Sequence, residues 1–192
     1  YADTPATSNL PFRSGKASLY EGGTREPGIV VWPGQVKPGT QADFLMQSTD
    51  LFPTLLGAAR VATPIGQKLD GFDQGQALKG GSAPRQRIFC HFPHGTPNQA
   101  QSIPGMLPGT YVRRGDWKLL RFYADNEDGS DRFELYNLKD DIGERNDLAN
   151  KETAKRDELL DDLLAWIKSD QAPMCSQPNP KYDPAATKDK GN

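Results

Sequence analysis

Between Gly28 and Gly34 the chain carries Ile29, Val30, Val31, Trp32 and Pro33, with no polar residue among them. A short apolar run bounded by turn signals is the pattern of a strand buried on both faces. A strand buried alone leaves its backbone N–H and C=O groups without partners. Nothing else in the first 80 residues supplies an evident neighbour for it. The run therefore reads as the last part of a larger sheet. Composition points the same way: only 35% of the 192 residues are hydrophobic, and 19 Gly and 16 Pro make the chain rich in loops. Such a balance suits a loop-rich protein or a piece whose core is completed by something else. The chain opens at Tyr1 with a polar stretch to Pro11, without Met or an apolar leader, which leads us to expect further chain upstream.

The remaining pattern describes a helix and a small α+β unit. Ser48-Thr49-Asp50 opens a helix through about Ala59, with Asp50 as N-cap and Pro53 in the first turn. Residues 79–84 form a linker. Arg87–Phe92 reads as a strand, followed by a long loop from Pro93 to Gly109 with four prolines and three glycines. Loops of that length inside compact domains tend to be functional. Tyr111–Arg113 and Trp117–Tyr123 pair as a hairpin about Arg114-Gly115-Asp116, and Phe133–Leu138 adds a strand. The order favours an antiparallel meander. Asn150 caps a helix to about Lys168, whose stripe of Leu159, Leu160, Leu163, Leu164 and Ile167 covers one sheet face. The expected division is 1–80 as the end of a large α/β domain, 81–172 as a small α+β domain, and 173–192 as an extended tail.

Charge excludes some partners. Against 25 Asp plus Glu stand 23 Lys plus Arg, a net charge of −2, and no basic stripe suited to nucleic acid is present. No apolar run reaches the length of a membrane span. Cys90 and Cys175 can pair or stay as free thiols, and spacing does not decide.

Several segments fall together in an ordered series. Gly15-Lys16-Ala17-Ser18-Leu19-Tyr20-Glu21-Gly22-Gly23-Thr24-Arg25-Glu26-Pro27 precedes the Val-Trp-Pro-Gly run. Ser48–Leu55, Leu69-Asp70-Gly71, His91-Phe92-Pro93-His94, Arg114–Leu119, and Glu134–Leu138 with Asp140, Glu144 and Asn146-Asp147-Leu148 follow. In this order they resemble the C-terminal region of the type I sulfatases over roughly residues 8–168. The resemblance implies an alkaline-phosphatase-like α/β fold. It implies a formylglycine nucleophile made from the cysteine of a Cys-x-Pro-Ser-Arg motif, and a calcium ion held by carboxylates and an amide. Neither Cys90 nor Cys175 lies in such a motif, so nucleophile and calcium ligands are expected upstream. These residues are expected to bind no metal, and the fragment alone to be inactive. The family also suggests export to the periplasm or medium.

Within the series Lys16 is the catalytic candidate. A sulfate ester gathers negative charge on its bridging oxygen as the bond breaks, and an ammonium on a glycine-flanked loop can approach that oxygen closely. A solvated surface lysine is the plain alternative; the surrounding motif favours the catalytic role. Gly22-Gly23 reads as a tight turn with positive φ, and Glu21, Arg25 and Glu26 as an ion-pair network ordering the Lys16 loop. His91 and His94, three apart at a strand end, lack the companions of a metal pair; by resemblance they face the mouth of the site and touch substrate. Arg113, Arg114, Lys118 and Arg121 form a basic hairpin face, solvated or turned toward an anionic saccharide. The expected function is hydrolysis of sulfate esters, of carbohydrates in particular. The expected partners are a sulfated small molecule or saccharide and the missing N-terminal part of the same protein. The alternatives are a phosphoester or phosphonate hydrolase of the same superfamily and a stand-alone binding module.

Overall fold

The computed structural model describes residues 8–93 and 104–174. Two compact units emerge. One comprises the described residues within Tyr1–Arg25, Phe89–Val112 and Asp116–Asn192; the other is Glu26–Ile88 with Arg113–Gly115. The segment before Arg25 thus groups with the C-terminal sheet and not with the residues that follow it directly in sequence.

Four strands form one sheet in the order β1-β2-β3-β4: Arg87–Phe92, Gly109–Arg114, Trp117–Phe122 and Arg132–Asn137. This is the expected meander. In the β3–β4 pair, which is antiparallel, Leu119 faces Leu135, Lys118 faces Tyr136 and Leu120 faces Glu134. Because side chains alternate along a strand, Leu119 and Leu135 share one face, and Lys118, Leu120, Glu134 and Tyr136 share the other.

The first face packs on helix α4, Thr153–Ser169. Val112, Leu119, Leu135, Ala149, Leu159 and Leu163 make its buried cluster, and the Phe89 ring stacks on Trp166 with centroids 4.9 Å apart. The helix starts two residues later than expected. Its N-cap is Glu152, without a side-chain cap bond, since the backbone from Leu148 to Glu152 closes a turn of its own. The stripe is narrower than the sequence suggests. Leu159 and Leu163 are buried, Leu160 and Ile167 are partly covered, and Leu164 is 43% exposed.

The second face is covered by residues from the chain's beginning. Leu19 and Tyr20 are buried, and the Tyr20 ring lies 6.2 Å from Phe122 and 6.5 Å from Tyr136. Both phenols donate to one carboxylate oxygen of Glu134, Tyr20 at 2.8 Å and Tyr136 at 2.7 Å, while Arg132 pairs with the other oxygen. Arg13 lies over the Tyr20 ring at 3.9 Å and donates to the Tyr136 hydroxyl and the Glu144 carbonyl. Burial, followed by the Glu134 charge and hydrogen bond, pushes the Tyr20 phenol well above its ordinary pKa; burial and the Glu134 hydrogen bond do the same to Tyr136. Both stay protonated and serve as donors.

In the other unit, helix α2 spans Leu51–Ala59 as expected, and a short helix α3 spans Gly75–Leu78. Asp50 does not cap it with its side chain. The carboxylate instead accepts from Arg85 Nε at 2.7 Å and Nη2 at 2.5 Å, from the Phe72 N–H at 2.8 Å and from the Gln47 N–H at 2.9 Å. Burial acts to raise the Asp50 pKa, but these donors outweigh it and hold the carboxyl below its ordinary value. The run Ile29–Trp32 forms no strand, which corrects the reading of the sequence. Ile29 is 92% exposed and Val31 84%. Among the described residues no strand pairs with it, and unpaired extended backbone has no ladder to hold it. Leu51 and Leu55 on α2 are exposed as well.

Candidate functional site: the Lys16 loop

Lys16 is exposed, and the residues that follow its loop, Ser18 to Glu21, are buried. The change from solvent to core within two residues requires an unusual backbone. Ser14 has φ 64° and Ala17 φ 74°, left-handed conformations that cost a non-glycine residue about 1–2 kcal/mol each. Such residues persist where their surroundings over-determine them. Here the Ser18 N–H donates to the Gly15 carbonyl at 3.1 Å, closing the loop on itself. The Ser14 hydroxyl donates to the Pro104 carbonyl at 2.8 Å, and the Leu19 N–H to the Gly105 carbonyl at 3.0 Å.

The floor of this loop is the short helix α1, Glu21–Thr24. The Gly22 N–H donates to the Arg13 carbonyl at 2.9 Å. A Cβ on Gly22 would strike the carbonyls of Arg13 and Ser14, and one on Gly23 those of Ser18 and Gly15. Both glycines are therefore required because the Lys16 loop lies directly on them. Neither has positive φ, so the expected tight-turn role gives way to close backbone approach.

Glu21 fixes that floor to the sheet. Its carboxylate receives Lys118 Nζ at 2.9 Å, and Arg25 reaches it at 3.4 Å. Its backbone N–H donates to Glu144 Oε2 at 2.6 Å, and Glu144 Oε1 lies 3.1 Å from Lys118 Nζ. Lys118 and Glu144 are wholly buried. Burial raises the Glu144 pKa against the pull of Lys118 and of the Glu21 N–H, and the neighbouring Glu21 charge adds to the rise. The expected network thus exists, with different members: Glu26 is exposed, while Lys118 and Glu144 take part. Lys118 is no part of a solvated basic hairpin face. Sequence reasoning missed it because a lysine in a hairpin ordinarily faces water. The available signal was the adjacency of Lys118 to Leu119-Leu120, with no polar–apolar alternation.

The histidines divide. The Nδ1 of His91 stands 3.1 Å from the Tyr123 hydroxyl, and its Nε2 2.8 Å from the Pro173 carbonyl. Both ring nitrogens are engaged, so contact with a ligand requires release of one. His94 lies outside the described residues, as do Cys175 and much of the Pro93–Gly109 loop. Cys90 is a free thiol whose pKa is pushed up by burial, against the opposing charge of Lys118; it is poorly suited to act as a nucleophile. Among the described residues, no three His, Cys, Asp or Glu side chains cluster where they could hold a metal ion. No helix among them is long and apolar enough to cross a membrane.

Residues 14–170, which include the Lys16 loop, the sheet and α4, match the family described as N-sulphoglucosamine sulphohydrolase, C-terminal. The chain belongs to this sulfatase family. A sulfatase of Formosa agariphila is 30% identical over 197 residues, covering 92% of this chain and 34% of that protein. Human arylsulfatase A is 38% identical over 120 residues, covering 62% of this chain and 22% of that protein. The chain therefore spans about a third or less of the length of these relatives. A solved structure of a protein in complex with its substrate D-glucosamine-2-N,6-O-disulfate superposes with TM-score 0.60 at 25% identity, over 76% of this chain and 29% of that one. The sheet and helix described above are the C-terminal portion of the alkaline-phosphatase-like sulfatase fold.

Proposed function

We propose that this chain forms the C-terminal part of an enzyme that hydrolyses sulfate esters of carbohydrates, with Lys16 stabilising charge on the departing ester oxygen. The observation that carries this reading is the Lys16 loop. A solvent-facing ammonium sits on two left-handed residues, closed on a glycine floor that ion pairs tie to the sheet. A loop backbone held in this way narrows the space open to the exposed ammonium, so less reorganisation is needed when a negative centre forms beside it, which is the condition for electrostatic catalysis. A saccharide substrate is supported by the sulfated sugar bound to the related structure. In this reading the formylglycine nucleophile and the calcium ion belong to residues outside this chain, which supply bond-breaking chemistry. His91, and His94 beyond the described residues, stand as substrate contacts at the mouth of the site, and an exported location goes with the same reading. The exposed apolar side chains Ile29, Val31, Leu51 and Leu55 fit cover by the N-terminal part of the same protein.

The experiment is Lys16→Ala in the full-length enzyme, assayed on a sugar sulfate and on 4-nitrophenyl sulfate. Loss of one well-placed electrostatic donor lowers kcat about 100- to 1000-fold. KM should change much less, because the interaction strengthens toward the transition state. The loss should be smaller on the nitrophenyl ester, whose leaving oxygen needs less help. Lys16→Arg should recover little, since the planar guanidinium does not replace a compact ammonium. A near-normal kcat in Lys16→Ala would remove Lys16 from the reaction.

A further inference from the structure

Lys118 stands more than 90 residues from Lys16 in sequence. The connection between them is a short series of rigid pieces. Lys118 is on β3, wholly buried, and its strand is paired along its length with β4. Its ammonium sits 2.9 Å from Glu21 Oε1, 3.1 Å from Glu144 Oε1 and 4.8 Å from the centre of the Tyr111 ring. Glu144 reaches Glu21 a second time, through the backbone N–H at 2.6 Å. Glu21 is thereby held at both its side chain and its main chain. The next two residues, Gly22 and Gly23, are those on which the carbonyls of Arg13, Ser14, Gly15 and Ser18 rest. These four residues bracket Lys16. A shift of Glu21 therefore moves the surface that supports the Lys16 loop.

Physical chemistry favours this as a device of position. A buried ion pair is weak evidence of stability, because desolvation offsets most of its attraction. An apolar side chain on β3 could fill the same space, but it would not fix the direction of two carboxylates at once, one of them the acceptor of the Glu21 N–H. The ammonium, with three donors on a compact head, can do so. We propose that Lys118 is a positioning residue for Lys16, acting through Glu21 and Glu144 to set the place of the Lys16 ammonium against the ester oxygen. This rests on the catalytic reading of Lys16 given above.

The test is a double-mutant cycle in the full-length enzyme, with a sugar sulfate it turns over and 4-nitrophenyl sulfate as substrates. Displacement of a catalytic group by about an ångström costs on the order of 100-fold in rate. Lys118→Met should lower kcat about 10- to 100-fold on the sugar sulfate, with a smaller loss on the nitrophenyl ester and little change in KM. Lys118→Arg, which keeps the charge, should recover a good part of the loss. In the Lys16→Ala background Lys118→Met should add less than about threefold, because residues acting through one another are not additive. Should Lys118→Met fail to fold, Glu144→Gln serves in its place. It is isosteric, keeps the Lys118–Glu21 pair and retains an acceptor for the Glu21 N–H, so a weaker loss with the same dependence on leaving group is expected. The inference is overturned by a Lys118→Met or Glu144→Gln enzyme with unchanged kcat, or by a loss equal on both esters. It is also overturned if Lys118→Met lowers kcat as much without Lys16 as with it. A normal kcat in Lys16→Ala is a different result: it removes the catalytic reading of Lys16, and this inference with it.

Discussion

Leu119 and Lys118 are neighbours on β3, and neither is exposed to solvent. They point to opposite faces of one sheet and are buried for opposite reasons. Leu119 meets Val112, Leu135, Leu159 and Leu163, an apolar cluster closed by α4. Lys118 meets two carboxylates, one of them on a segment nearly 100 residues earlier in the chain. The helix face is held by area removed from water. The other face is held by directed contacts: Lys118 with Glu21 and Glu144, and Glu134 with Tyr20, Tyr136 and Arg132. An apolar face stabilises without fixing direction, whereas a network of charges and hydroxyls fixes direction at small net gain in stability. The loop that requires direction, the one bearing Lys16, lies on the second face.

This difference can be broken from either side. Leu163→Asp places an unpaired carboxylate in the apolar cluster and should show the largest effect, a loss of at least about 4 kcal/mol measured by denaturant unfolding. Lys118→Met leaves Glu21 and Glu144 together without their shared cation and should cost about 3–5 kcal/mol. Lys118→Met with Glu144→Gln should recover part of that loss. A double variant worse than the single would contradict the ion-pair account. Tyr136→Phe removes one of two phenol donors on Glu134 and should cost about 1–3 kcal/mol. The smallest effect belongs to Leu164→Gln, within about 0.5 kcal/mol, because that side chain stands outside the stripe.

The folded-state pKa of Glu144 is raised from an ordinary 4.5. The folded protein thus holds this proton more tightly than the unfolded one. The resulting stability is present below about pH 4.5 and fades as pH rises through the folded pKa. Asp50 has the opposite sign. Its folded pKa lies below an ordinary 3.8, so its contribution is present above that pH and fades as pH falls through the folded value. Unfolding free energies of Glu144→Gln and the parent protein, compared from below the ordinary value of 4.5 up to about pH 8, should diverge in favour of the variant as pH rises. A difference independent of pH would mean that Glu144 is not held in the state described.

The sequence revealed the elements of the helix face because its physics is periodic. Leu159 and Leu163 are spaced for a helix, and β1 to β4 carry apolar runs between turn residues. It was misleading where the deciding partner is remote. Ile29–Trp32 has the composition of a strand, but strand formation depends on a neighbour that the described residues lack. Asp50 has the position of an N-cap, yet Arg85, 35 residues on, claims its carboxylate. Lys118 has the composition of a surface residue until Glu21 and Glu144 are brought to it. For the site, Lys16 was legible through its motif, and so was the idea of ion pairs beneath it. The members of that network were not, since ion pairing across a fold leaves no period in sequence. The role of Gly22 and Gly23 was likewise misassigned: their backbone is ordinary, and only the overlying loop explains them.

The Lys16 loop rests on a floor tied to the sheet through Glu21 and Glu144, and the firmness of that floor can be measured. Amide hydrogen exchange at neutral pH, in the protein that carries this chain, measures it directly. The N–H groups of Glu21 and Gly22, bonded to Glu144 and to the Arg13 carbonyl, should exchange on the timescale of the Leu119 and Leu120 amides in β3. Both sets would then open only with the whole unit. Exchange of Glu21 and Gly22 at the rate of an open loop, while β3 stays protected, would contradict the account and leave Lys16 on a mobile surface turn.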